Sequence, residues 1–270
     1  MFPFSITSIQ PWRLSQPRIF HRLDDIAPSH SGAIAIRNLT IRYRDCEALR
    51  NINLEIQPGQ LTAIIGPNGA GKSTLIKGML GLIPQAKGHI HSLGKPLTQQ
   101  LQRVAYVPQR SQIDWTFPAT VSDVVMMGRI RKTGWLHRYS PSSRRIAATA
   151  LERVKMSEFR DRPIGELSGG QQQRVFLARS LAQEAEIFCF DEPFTGVDRK
   201  TETILFQIFR ELADSGKIVL VVNHDLGESL HRFDQLILLN RDLIATGDRT
   251  QVLTQDNMYR AYGGIVQFSQ

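Results

Sequence analysis

The sequence predicts an α/β fold with a parallel core sheet covered on both faces, an antiparallel β flank and an inserted helical subdomain. Three observations lead there. The continuous apolar runs Ile187-Phe188-Cys189-Phe190 and Ile218-Val219-Leu220-Val221-Val222 have the character of parallel strands buried on both faces. Leu39, Ile41 and Tyr43 alternate with Thr40 and Arg42, and Ile52, Leu54 and Ile56 with Asn51, Asn53 and Glu55, as in half-buried antiparallel strands. Helical spacing dominates between Thr120 and Ala182, interrupted at Gly134 and Pro141.

Taken in order, residues 1–33 carry Pro3, Pro11, Pro17 and Pro28 without sustained periodicity, and read as a poorly ordered extension ahead of one domain spanning 34–270. The alternating segments open that domain as its antiparallel flank. Leu61-Thr62-Ala63-Ile64-Ile65 follows as a short buried strand, and Leu75, Ile76, Met79, Leu80 and Ile83 fall on one helical face. The helical subdomain covers about residues 110–182, after which the Ile187 run returns the chain to the core. There is no internal repeat.

Between that strand and helix lies Gly66-Pro67-Asn68-Gly69-Ala70-Gly71-Lys72-Ser73-Thr74. A glycine, four residues and then Gly-Lys-Ser let consecutive backbone N–H groups wrap phosphates and aim a helix N-terminus at them. They also supply a cation and a hydroxyl able to ligate Mg²⁺. The strand–loop–helix context confirms a nucleoside triphosphate site. Asp191 and Glu192 follow an apolar strand directly, so both emerge at its carboxyl end, beside the loop in such a sheet. Phosphoryl transfer needs metal neutralisation of phosphate oxygens and a positioned nucleophile, so one carboxylate can hold magnesium and the other orient water. His224 ends the next apolar run and reaches the same crevice.

At 270 residues, 41 % hydrophobic and 21 % charged, the chain can bury a full core. No stretch approaches the roughly 18 uninterrupted apolar residues that span a bilayer, and no basic segment leads into a long apolar one near the N-terminus. The expectation is a chain that neither crosses a membrane nor is secreted. Cys46 and Cys189 lie in unrelated contexts without metal or redox spacing, and read as reduced, packed small residues. Much of the net charge of +8 falls between Arg129 and Lys155, where Arg129, Arg131, Lys132, Arg138, Arg144, Arg145, Arg153 and Lys155 stand against Glu152 alone. Such a run reads first as a solvated face, with a surface near anionic lipid headgroups as the functional alternative. Beyond Trp135 and Tyr139 it lacks interleaved stacking aromatics, so nucleic acid is not an expected partner.

These motifs, in this order from about Ile34 to the C-terminus, resemble the nucleotide-binding subunits of ATP-binding cassette transporters, P-loop NTPases with a RecA-like parallel core sheet. Gly66 to Thr74 is similar to the Walker A loop, Gln109 in Val107-Pro108-Gln109 to the Q-loop glutamine, and Leu167-Ser168-Gly169-Gly170-Gln171 to the family signature. Phe188 to Asp191 with Glu192 is similar to Walker B and the catalytic glutamate, Val197-Asp198 to the D-loop and His224 to the switch histidine. Tyr43 stands where the family places an aromatic that stacks on adenine, with a strand tyrosine packed in the sheet as the plain alternative.

The resemblance implies ATP and Mg²⁺ as cofactors. Lys72 would bind the β- and γ-phosphates, and Ser73 and Asp191 would hold Mg²⁺ directly or through water. Gln109 would link metal occupancy to the partner subunits, Glu192 would polarise the attacking water, and His224 would steady the γ-phosphate. Ser168, Gly169, Gly170 and Gln171 would close over a nucleotide held by another copy, in a head-to-tail homodimer. With one copy of each element, the chain must pair to hydrolyse ATP. The subunit would lie peripherally on the cytoplasmic face of the cell membrane, bound to integral-membrane permease subunits.

Tyr106 to Pro118 with Thr120 to Arg129, Asp191 to Asp198 and the tail Tyr262-Gly263-Gly264 resemble the ATPases of the manganese, zinc and iron uptake branch. Thr195-Gly196-Val197-Asp198 replaces the more usual Ser-Ala-Leu-Asp type of D-loop. Asp114-Trp115, Phe117-Pro118 and Gly134-Trp135 are most similar to the manganese members. The implied function is energising manganese import together with an extracytoplasmic metal-binding protein, with zinc or iron-chelate import as the alternative. A soluble cassette ATPase of DNA repair would carry a very long coiled-coil insertion, and a translation-associated one would fuse two nucleotide-binding units. Ligand type and geometry in the binding protein and permease, not in the ATPase, choose the metal. His89 and His91 in Gly88-His89-Ile90-His91 accordingly read as one face of a short strand rather than a metal site.

Overall fold

A computed structural model describes residues 32–43, 46–84, 86–133 and 138–263. The extension up to residue 31, the Gly134-Trp135 pair and Gly264 lie outside the described residues.

Two sheets organise the chain. In the first, β1 (Ile34–Tyr43) and β2 (Cys46–Ile56) pair antiparallel, with Ile36 opposite Leu54 and Leu39 opposite Ile52. The short strands β4 (Lys87–Ser92) and β5 (Lys95–Pro96) extend this sheet on the other side of β1. The second is built from β3 (Leu61–Ile65), β6 (Val104–Val107), β7 (Ile187–Asp191), β8 (Ile218–Val222), β9 (Gln235–Asn240) and β10 (Asp242–Gly247). Its order is β10-β9-β3-β8-β7-β6, parallel throughout except for β10, which runs antiparallel at the edge.

Every residue of β3, β7 and β8 is buried, because this sheet is covered on both faces. Alternate side chains enter two separate cores, as the period of a strand requires. Phe188, Phe190, Val219, Val221, Leu236 and Leu238 belong to one; Ile187, Cys189, Ile218, Leu220, Ile237 and Leu239 belong to the other, with the first sheet. The predicted α/β class, with its parallel core, antiparallel flank and inserted helices, is the observed one.

Helix α1 (Lys72–Met79) buries Leu75, Ile76 and Met79 in the core shared with β1 and β2. It is shorter than its apolar face suggested. Gly81, at φ 68°, turns the chain out of the helix, and Ile83 packs from the segment beyond. Four helices form the inserted part: α2 (Val121–Met127), α3 (Ile130–Thr133), α4 (Pro141–Arg153) and α5 (Gly169–Ala182). Residues 138–140 are not helical, and Pro141 begins α4 after the Ser140 cap, where a missing N–H costs nothing. Helix α6 (Arg199–Asp214), capped by Asp198, lays Phe209 on Phe190 at a ring separation of 4.3 Å. The chain continues past β10 through α7 (Arg249–Val252) and α8 (Gln255–Tyr262).

Two expectations need correction. Cys189 is buried but Cys46, the first residue of β2, is exposed rather than packed. Arg129 is not part of a solvated face: it is 5 % exposed, and its guanidinium donates to the Ala182 carbonyl and to Glu184, both at 2.7 Å. Among the described residues no helix is long and apolar enough to cross a membrane.

Candidate active site

The glycine loop leaves β3 and is pinned on two sides. A side chain at Gly66 would collide with the Leu239 carbonyl at the end of β9, and one at Gly71 would meet the Ala48 carbonyl of β2 at 2.6 Å. Both residues have positive φ, so glycine serves there twice over. Arg241 N–H donates to the Ala70 carbonyl at 2.9 Å and closes the loop against the turn after β9. Its apex, Asn68-Gly69, is exposed, with open space around Gly69.

Lys72 opens α1 yet is 6 % exposed. Its ammonium donates to the Gly66 and Pro67 carbonyls at 2.8 and 3.0 Å. Burial pulls its pKa below the usual lysine value, while Glu192 and Asp191 oppose that shift. Ser73 Oγ donates to Asp191 Oδ1 at 2.7 Å. Asp191 is 1 % exposed; desolvation raises its pKa and the Ser73 hydrogen bond works against the rise. Tyr106, on β6, donates its hydroxyl to Asp191 Oδ2 at 3.4 Å.

Glu192 adopts a left-handed backbone at φ 51°, which turns its carboxylate out of the line of β7. Gln109 Nε2 donates to Glu192 Oε2 at 2.7 Å, so the two residues expected to act on water and metal are in contact. His224 is exposed two residues past the end of β8 and makes no hydrogen bond among the described residues. Its turn is set by Asn223, whose N–H donates to the Ile64 carbonyl at 3.0 Å and whose side chain donates to the Asp225 carbonyl.

The remaining predicted residues lie apart. Ser168 caps α5: its oxygen accepts from Gln171 N–H at 3.3 Å, and Gln171 Oε1 accepts from Ser168 N–H at 2.8 Å. Gln171 thus holds the helix start, a local role that its capping-box spacing made readable. Gly169 and Gly170 form the first turn of α5. No hydrogen bond among the described residues joins residues 168–171 to residues 66–74. Tyr43 ends β1 and is 44 % exposed, not packed in the sheet.

Sequence reasoning missed Tyr106, Asn223 and Arg110. The available signals were a polar-tipped aromatic in an apolar strand and a charged residue directly beside Gln109. Chemically, the site offers an open glycine cradle, a buried ammonium beside it, and a hydroxyl–carboxylate pair whose oxygens suit Mg²⁺.

Residues 49–195 match the ABC transporter family. The chain is 49 % identical to the manganese transport system ATP-binding protein MntB of Listeria monocytogenes, over 84 % of this chain and 95 % of that protein. It is 47 % identical to the zinc transport system ATP-binding protein TroB of Treponema pallidum, over 87 % of this chain and 88 % of that one. Among solved structures it superposes with a TM-score of 0.74 and 27 % identity on the ADP conformation of an ATP-binding cassette of an ABC transporter, covering 86 % of this chain and 98 % of the other. The chain belongs to the ABC transporter family, as one of its ATP-binding ATPase subunits.

Proposed function

We propose that this chain is the ATP-hydrolysing subunit of an importer for a divalent transition metal, manganese being the first candidate cargo. The observation that carries the reading is the match along most of the chain to proteins named for manganese and zinc transport. Zinc is kept as a second reading because the zinc-named relative matches almost as well.

In this reading residues 34–270 are the nucleotide-binding domain, with the helical subdomain at about residues 110–182. Lys72 exchanges the Gly66 and Pro67 carbonyls for the β- and γ-phosphates, and the amides from Gly66 to Thr74 surround them. Ser73 and Asp191, joined by a hydrogen bond, would hold Mg²⁺ together with Gln109. The metal ion supplies charge neutralisation at the phosphate oxygens. Glu192 polarises the attacking water, His224 contacts the γ-phosphate and Tyr43 stacks on the adenine.

Ser168 to Gln171 share no hydrogen bond with the phosphate loop of their own chain, which supports a head-to-tail homodimer in which each signature covers the other copy's nucleotide. The subunit sits peripherally on the cytoplasmic face of the cell membrane against permease subunits, with an extracytoplasmic binding protein delivering the metal.

The test is uptake of radioactive manganese and zinc by metal-starved cells carrying either the wild-type chain or Glu192→Gln as the sole copy. Loss of manganese uptake with zinc uptake intact supports the first reading, and the reverse supports the second. Unchanged uptake of both contradicts a role in importing either metal.

A further inference from the structure

We propose that Arg110 is a positioning residue for the nucleotide site, locking the first turn of α5, which presents Ser168 to Gln171, onto the segment that carries Gln109. This rests on the reading above, in which Ser168 and Gly170 meet a nucleotide held by a second copy of the chain.

Two side chains, Arg110 and Trp115, join residues 110–115 to α5. Arg110 Nε and Nη2 both donate to Gln172 Oε1, at 3.0 and 2.9 Å. Gln172 is 3 % exposed, and its Nε2 donates to the Ile164 carbonyl at 3.2 Å, so the acceptor is held from its other end. The guanidinium also lies over Gly169, where a Cβ would stand 3.2 Å from Arg110 Cζ. The guanidinium carbon also stands over the Trp115 indole, 5.5 Å from the ring centre. That indole donates to the Arg110 carbonyl at 3.1 Å and meets Phe176 of α5 edge-on at 5.4 Å.

The neighbour of Arg110 in sequence is Gln109, whose amide holds Glu192. A displacement of Gln109 would therefore carry the signature turn with it, through the Arg110 guanidinium and the Trp115 indole together. The exposed guanidinium also adds positive charge at a helix N-terminus, where a phosphate would be laid. Lysine could not replace it, because a single ammonium does not present two N–H groups in a fixed fork to one oxygen.

The experiment uses the full chain in a Glu192→Gln background, with ATP-dependent dimerisation read by sedimentation and nucleotide affinity of the monomer read with a fluorescent ATP analogue. Arg110→Ala is expected to weaken the ATP-bound dimer about tenfold or more while the monomer's nucleotide affinity stays within about twofold. Arg110→Lys should not restore the dimer, and Arg110→Ala with Gln172→Ala should be no worse than either alone. An Arg110→Ala dimer as tight as its parent, or an equal loss of nucleotide affinity in the monomer, overturns the proposal. Failure of the Glu192→Gln parent to dimerise with ATP would instead remove the homodimer reading, and the role of Arg110 with it.

Discussion

Ser73 Oγ donates a 2.7 Å hydrogen bond to Asp191 Oδ1, joining the first turn of α1 to the last residue of β7 across 118 positions of sequence. Parallel pairing in the order β3-β8-β7 makes this possible, since both elements end at the same edge of the sheet. Ser73→Ala removes a proposed Mg²⁺ oxygen and leaves Asp191 without its donor. A magnesium titration of ATP hydrolysis should show the half-activating concentration raised about tenfold or more. A titration superimposable on wild type would remove Ser73 from the metal site.

Lys72 is a buried ammonium with two carbonyl partners and two carboxylates near it. Lys72→Ala should leave the fold intact, because the loop is pinned independently through Ala70 and Gly71. It should weaken ATP binding by about 1.5–3 kcal/mol, the scale of a charge-assisted hydrogen bond. Calorimetry of the variant with ATP measures this directly, and an unchanged affinity would contradict the role assigned to the lysine.

The two cysteines should separate cleanly in reactivity. Burial in the sheet core, with Asp191 nearby, pushes the Cys189 thiol up to about 12, so its reactive thiolate is scarce at pH 8. Cys46 is exposed. Mass spectrometry after alkylation should find one adduct on the native protein, at Cys46, and two in denaturant. Rapid modification of both under native conditions would contradict the packing of β7.

Arg129 and Lys132 meet the same carboxylate from opposite environments: their side chains are 6 % and 52 % exposed, and both lie within 2.8 Å of Glu184 Oε2. Arg129→Ala strands the buried Ala182 carbonyl and should destabilise by roughly 2–3 kcal/mol in urea unfolding, whereas Lys132→Ala should cost less than about 1 kcal/mol. The hydrogen bonds from Lys132 and Arg129 hold the Glu184 carboxyl below its usual pKa of 4.5. Their stabilisation is therefore complete above that pH and is lost as the carboxyl protonates below it. Equal losses for the two variants would contradict this picture.

The phosphate loop, the buried strands and the carboxylates after β7 are each encoded within about ten consecutive residues, where apolar period and glycine spacing suffice. The misreadings came where one local signal has two meanings. Cys46 is a small apolar residue type yet stands exposed at the start of β2, and Arg129 stands in a charged run yet the turn between α2 and α3 aims it at the Ala182 carbonyl. Tyr106, Arg110 and Asn223 carry only weak local signals for another reason. Each acts through a partner outside its own element, and no periodicity records which distant residue the fold will bring beside it.

Glu192, presented by a left-handed turn after β7 and held by Gln109, is the group proposed to activate water for ATP hydrolysis. Phosphate release by the purified Glu192→Gln variant at saturating MgATP tests it most directly. Turnover should fall at least about a hundredfold with ATP still bound, the scale of losing a general base. Hydrolysis at the wild-type rate would contradict it.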